Sequence, residues 1–296
     1  MTQHRNDQHP HHHKQPKKHQ KHHDHQADRH DHEAGLADRL DLDAEVLGPL
    51  LDEVTDWVRG RTTATPRAIV DVGAGTGTGT AALARRFPEA RLVAVDRSPV
   101  MLDRVAATAR AQGLAERLRV IPADLDVAWP EIGAVDLAWL ASSLHHAQDP
   151  DRLLRDLHGA LRPGGLLVVV EMDGMPHFLP DDLGIGRPGL EARGKEAMAR
   201  ARWNAYPNWR PHLERAGFAE VTERTFTFDL HPAPPAAHRY AHGVLSTLRH
   251  GLADHLAADD LDTLDRLLAA DAPESVLHRD DLIVRGSRIA WAARRP

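Results

Sequence analysis

Between Val70 and Gly79 the chain reads VDVGAGTGTG. An apolar run precedes this stretch and a helical pattern follows it, the context in which a glycine-rich loop holds a ligand. Gly73, Gly75 and Gly77 let the backbone turn sharply and come close to a bound molecule, with Ala74 and Thr76 between them. The following helix would aim free N–H groups and a positive dipole end at an anion, and Thr76 and Thr78 are candidate caps for it. Asp71 stands at the strand end before the loop, where a carboxylate suits an ammonium group better than a pyrophosphate.

Two further acids follow at regular intervals. Asp96 ends the next apolar run, RLVAVD, with Arg97 beside it; its two oxygens can accept both hydroxyls of a ribose. Met101, shortly after, can pack on an adenine ring. Asp124 follows the third apolar run, where a carboxylate can accept from the adenine amino group, and Leu125 offers a backbone N–H. Open α/β sheets bind ligands at the carboxyl ends of their strands, which is where all three acids fall. The glycines run G-x-G-x-G from Gly73, whereas a dinucleotide fingerprint runs G-x-G-x-x-G. S-adenosylmethionine, whose methionine end carries both a carboxylate and an ammonium group, fits the loop and Asp71 together.

The elements that position these residues are legible from Ala68 onward. AIVDV, RLVAVD, LRVIPAD, AVDLAWL and LLVVVE read as strands. AALARRF, SPVMLDRVAATARAQG and PDRLLRDLHGAL read as helices between them, the second with Ser98 as N-cap and Pro99 at its first position. Such alternation implies right-handed crossovers and a mainly parallel sheet covered on both faces. Before it, Leu36, Leu40, Val46, Leu47, Leu50, Leu51, Val54, Trp57 and Val58 recur at helical steps, and Pro49 predicts a kink or a break. After it, 172–190 reads as a loop, 189–206 and 209–218 as helices, 220–230 as a strand, 236–270 as helical throughout and 282–295 as a last strand.

These motifs resemble those of class I S-adenosylmethionine-dependent methyltransferases. The block AVDLAWLASSLHHAQDPDRLLRDLHGALRPGGLLVVVE, residues 134–171, resembles the fourth-strand to fifth-strand region of the family's small-molecule branch, and the likeness covers residues 66–171. It implies a Rossmann-like α/β fold, a seven-stranded sheet of order 3-2-1-4-5-7-6 with the last strand antiparallel. It also implies that Asp71, Gly73, Gly75 and Gly77 hold the methionine end, Asp96 the ribose, and Asp124 and Leu125 the adenine, while Ala141 and Ser142 line the site near the methyl group. The domain reading is a histidine-rich disordered tail at 1–33, a helical cap segment at 34–65, and a methyltransferase domain at 66–296 with substrate-cap insertions at 172–206 and 236–270.

Methyl transfer from a sulfonium needs alignment and exclusion of water, and a base only where the acceptor must lose a proton. His145 and His146, just past the fourth strand, and Glu171, at the end of the fifth, are the candidates for that role. Asp173, His177 and Tyr206 lie in the insertion, where Trp203, Tyr206 and Trp209 can line a flat pocket.

Composition bounds the rest. The 296 residues are 42% hydrophobic with a net charge of −6 and no cysteine, which excludes disulfides, thiolate metal sites and cysteine nucleophiles. The lack of a basic excess argues against nucleic acid. The start of the chain has no apolar signal core and no apolar run is long enough to span a membrane, so a cytoplasmic protein is expected, with a composition typical of a GC-rich bacterium. A small-molecule acceptor and a monomer or homodimer are expected, with no fixed metal site. Eleven histidines in the tail can chelate a transition metal. Two alternatives stay open: a zinc- or nickel-responsive protein that binds the cofactor without catalysis, and a nicotinamide-dependent oxidoreductase.

Overall fold

The computed structural model describes residues 20–203 and 207–296, with side chains from Glu33 onward. The first nineteen residues of the histidine-rich segment and Tyr206 lie outside the described residues, and so does the metal-binding reading of the tail's imidazoles.

Five parallel strands form in the predicted places: β1 (Ala68–Val72), β2 (Arg91–Asp96), β3 (Leu118–Pro122), β4 (Val135–Ala141) and β5 (Leu161–Met172). Between them run α2 (Thr78–Arg86), α3 (Pro99–Ala111) and α4 (Pro150–Ala160). Local chemistry fixes where two of these helices begin. Ser98 Oγ accepts the Met101 N–H, Asp149 Oδ1 accepts the Arg152 N–H, and each cap is followed by a proline. Two more strands, β6 (Ala219–Leu230) and β7 (Val284–Arg294), complete a seven-stranded sheet of order β3-β2-β1-β4-β5-β7-β6. β7 runs antiparallel to both β5 and β6. The sheet order and the antiparallel last strand are as the sequence predicted.

Alternation along β5 shows how the two faces are filled. Leu166, Val168 and Val170 join one core, against α1, α2 and α7; Leu167 and Val169 join the other, with Leu153, Leu154 and Leu157 of α4.

Several boundaries differ from expectation. Helix α1 spans Gln20–Arg59, so it begins inside the segment read as disordered; no glycine or proline interrupts residues 20–33, and the backbone has no local reason to leave the helix. Its interruption falls at Leu47 (φ −104°, ψ 16°), two residues before Pro49, whose ring displaces the preceding turn. α1 packs on α2, α3 and α7, so it is continuous with the domain. The 236–270 stretch divides into α7 (Ala237–Gly251) and α8 (Ala258–Leu268). The break follows Gly251, where the Trp203 ring fills the space a side chain would need. In the insertion, α5 (Leu190–Ala201) stops short of the predicted end because Arg202 turns into the left-handed region at φ 51°. A short α6 (Arg210–Arg215) leads into β6. Among the described residues no helix is long and apolar enough to cross a membrane.

Candidate active site

The glycine loop joins β1 to α2 at the carboxyl edge of the sheet. Gly73 has φ 68°, and a Cβ there would lie 2.5 Å from Cβ of Ser143, in the turn after β4. Gly75 donates its N–H to Asp96 Oδ2 at 2.9 Å, and a Cβ on it would meet Leu40 of α1 at 3.1 Å. The loop is thus clamped between α1 and the ends of β2 and β4. Gly77 caps α2 by its backbone alone: Thr76 and Thr78 contact each other at 3.4 Å, and no side chain caps the helix. The expectation that one of these threonines caps α2 is therefore corrected. Their hydroxyls are turned to each other, and the first-turn N–H groups of α2 are left to bind an anion.

Beneath the loop Asp71 is buried, and Thr80 Oγ1 donates to its Oδ2 at 2.6 Å. Burial pushes its pKa up to about 7, with the Asp96 charge adding to the rise and the Thr80 hydrogen bond opposing it. Close by, the buried indole Nε1 of Trp139 has no hydrogen-bond partner. An ammonium group would convert Asp71 to a paired carboxylate, and an acceptor oxygen would satisfy the indole.

Asp96 accepts the N–H groups of Gly75 and Ser98, each at 2.9 Å, one on each oxygen. A carboxylate has about four lone-pair sites, so capacity for two hydroxyl donors remains. Arg97 is exposed beside it. Met101 is buried on the first turn of α3. Asp124 is exposed and accepts the Asp126 N–H at 3.0 Å; the Leu125 carbonyl accepts from Arg152. Asp71, Gly73, Ala74, Gly75, Thr76, Ala141 and Ser142 line one cleft under α1, while Asp96, Asp124 and Leu125 stand at the adjoining strand ends. Ser142 adopts φ 51° and donates its N–H to the Val170 carbonyl at 2.8 Å, which carries the chain sharply away from β4.

That turn delivers His145 and His146 on a single 3-10 turn, with ring centroids 4.0 Å apart. Glu171 is fully buried on the side of β5 opposite Val170, and its Oε2 lies 2.7 Å from His145 Nδ1. The three candidates for a base therefore meet, next to Ser142 but outside the wall of the cleft itself. His146 is exposed, and partial burial together with the positive neighbours His145 and Arg97 holds its pKa below the usual histidine value.

Other candidates are dispersed. Asp173 accepts from Ser287 Oγ at 2.9 Å, and His177 Nδ1 lies 3.4 Å from Glu191; both line a second cavity with Trp203. Trp209 is buried in the opposite core among Leu153, Leu157 and Leu213. The expected wall of Trp203 and Trp209 is therefore not formed: the sheet lies between them, because α6 packs on α4 while α5 follows α7.

Sequence reasoning missed four contributors. Thr80 donates to Asp71, and the Trp139 indole stands close to it. Asp43 of α1 and Arg288 of β7 line the cleft, 3.1 Å apart, and Asp43 also accepts from Tyr240. The spacing of Asp43 and Arg288, 245 residues apart, carries no local signal.

Residues 69–165 match the family model described as "Methyltransferase domain". Trans-aconitate 2-methyltransferase of Methylobacterium radiotolerans is 36% identical over 45% of this chain and 50% of its own length. The malonyl (acyl-carrier protein) O-methyltransferase of Dechloromonas aromatica is 37% identical over 38% and 39%. The chain spans half or less of the length of these two curated relatives. Among solved structures, phosphoethanolamine N-methyltransferase 2 of Haemonchus contortus is 19% identical, covering 82% of this chain and 52% of its own, with a TM-score of 0.46. The matched residues include the glycine loop, Asp71, Asp96, Asp124 and the paired histidines; Glu171 and Arg288 lie beyond them.

Proposed function

We propose that the protein transfers a methyl group from S-adenosylmethionine to a small-molecule acceptor. The observation that carries this reading is the pairing of a buried carboxylate, Asp71, with an uncapped helix N-terminus across one glycine loop. A ligand with an ammonium and a carboxylate on one carbon satisfies both. Asp96 adds acceptor capacity for a ribose. A nicotinamide dinucleotide would bring its pyrophosphate beside Asp71, an unfavourable contact for two anions. The matched methyltransferase domain favours the same choice over the oxidoreductase and the metal-responsive protein.

S-adenosylmethionine supplies an electrophilic methyl group whose departure leaves a neutral thioether. The protein's own part is to bind, to orient and to keep water out. In this reading Asp71 and the first turn of α2 hold the amino-acid end, Asp96 with Arg97 and Met101 holds the nucleoside, and Asp124 and Leu125 meet the base. Ala141 and Ser142 form the wall nearest the acceptor.

Where the acceptor must lose a proton, His145 is the base. Glu171 Oε2, 2.7 Å from His145 Nδ1, would orient the imidazole and favour the tautomer that carries its proton on Nδ1. His146 fits a supporting role at the rim.

Calorimetric titration of S-adenosylmethionine, S-adenosylhomocysteine and NADH tests the central claim. Micromolar binding of the sulfur nucleosides, weakened by about tenfold or more in Asp71→Asn, is expected. Binding of NADH alone, or of none of the three by a folded protein, rejects it.

A further inference from the structure

A second cavity, of about 550 Å³, opens between α5, α7 and the loop after β5. Its size falls in the range of small-molecule pockets, about 300–1,000 Å³. It lies on the same face of the sheet as the cleft under α1 and follows it along β7. Arg288 lines the cleft, and Gly286, two residues earlier on that face, lines the cavity. Two strand residues span roughly 7 Å, so the two spaces are neighbours.

The lining is divided by chemistry. Met175, Met198, Trp203, Val244, Leu245 and Leu248 supply an apolar wall. The wall is firm on one side, where Trp203 is seated on Gly251 so closely that a Cβ there would meet its ring at 2.8 Å. The two methionines give an adaptable surface on the other. The acids of the lining are already engaged: Asp173 accepts from Ser287, and Glu191 accepts the N–H groups of Phe178 and Leu179 and approaches His177. The cations Lys195 and Arg202 are not engaged in this way. Lys195 on α5 and Arg202 just past its end both line the cavity, and neither forms an ion pair with a described residue.

We propose that this cavity binds an amphipathic carboxylate, its apolar body against Met198, Leu245, Leu248 and Trp203 and its carboxylate between Lys195 and Arg202, and that this is the chemical class of the methyl acceptor. The second half rests on the methyl-transfer reading; the first does not. A long side chain with a cationic tip beside apolar wall is the arrangement that holds an anionic head without burying it dry. A neutral apolar molecule would leave both cations unused, and a small polyanion would leave the wall unused.

Fluorescence titration of the full chain with dansyl-undecanoic acid, an apolar carboxylate, tests the binding directly. Saturable one-to-one binding is expected, weakened by about tenfold in Lys195→Gln/Arg202→Gln and for the methyl ester of the probe. Ala199→Trp, at an exposed lining position, should expel the probe while the protein stays folded. Equal affinity in parent and double variant, or no binding, overturns the site. So does competitive displacement by S-adenosylhomocysteine, which would put the probe in the other cleft. A parallel calorimetric titration with S-adenosylhomocysteine separates the two claims. Probe binding without nucleoside binding leaves the cavity and rejects methyl transfer; nucleoside binding without probe binding does the reverse.

Discussion

Thr80, on the first turn of α2, donates its hydroxyl to Asp71 Oδ2 at 2.6 Å, directly beneath the loop that α2 and β1 share. The bond places a buried acid whose pKa is raised to about 7 where a ligand's ammonium would sit. Ligand binding should favour the carboxylate and release a proton near neutral pH. Affinity for S-adenosylhomocysteine should therefore fall as the pH drops below about 7, approaching tenfold per unit. Calorimetry in buffers of different ionisation heat reads the proton release. Asp71→Asn should abolish the pH dependence and weaken binding by about 1.5–3 kcal/mol, the value of a hydrogen bond to a charged group.

The same group makes a prediction for the free protein. The folded state keeps the Asp71 proton up to about pH 7, whereas an unperturbed carboxyl releases it near 3.8. The stability this group contributes is complete below that value and is lost as pH rises toward 7. Asp71→Asn should thus raise the Tm at pH 8 while leaving it almost unchanged at pH 3.5, measured by thermal unfolding without ligand.

Glu171→Gln tests the histidine base. The amide keeps the shape of Glu171 but weakens its hold on the imidazole of His145. A fall in kcat of roughly tenfold to a hundredfold is expected, with a shifted acidic limb in the pH profile and unchanged affinity for S-adenosylhomocysteine. An unchanged pH profile would assign Glu171 a purely structural role.

The cleft under α1 holds about 180 Å³, below the roughly 300–1,000 Å³ of ligand pockets. If a nucleoside binds there, the part of α1 that lines the cleft before Leu47 must yield. Amides of residues 36–46 should exchange faster in the free protein and gain protection with S-adenosylhomocysteine, read by hydrogen–deuterium exchange. Asp43→Ala, which removes the link to Arg288 and Tyr240, should speed that exchange further.

Gly73→Ala should cost about 2 kcal/mol or more. The left-handed backbone alone penalises a side chain by about 1–2 kcal/mol, and Ser143 stands in the way of the new methyl. Urea denaturation gives the stability change, and binding should be lost with it.

How much of this was legible beforehand depends on how local the signal is. The five parallel strands, the Ser98 cap and the order of the acids are written in short stretches of sequence, and β1 to β5 appear accordingly. His145, His146 and Glu171 are legible as candidates from the sequence, but the turn at Ser142 that brings them together has no sequence signature, since a serine at φ 51° is set by its surroundings. Arg288 reads only as one outward residue of an alternating strand; its partner Asp43 comes from the far end of the chain. The Trp203 and Trp209 grouping failed for the same reason, because proximity in sequence says nothing about which side of a sheet a helix takes.

The strand order has an evolutionary consequence. β6 and β7 lie outside β5, so the segments 173–218 and 231–283 hang from one edge of the sheet, while the glycine loop and its acids occupy the middle and the other side. Mutation, insertion or recombination in those two segments can reshape the cavity of α5 and α7 while the strands beneath the glycine loop keep their register. In the methyl-transfer reading, selection diversifies the acceptor through those segments while the glycine loop and its acids stay fixed, and a chimera exchanging only those segments with a relative is the laboratory version of that history.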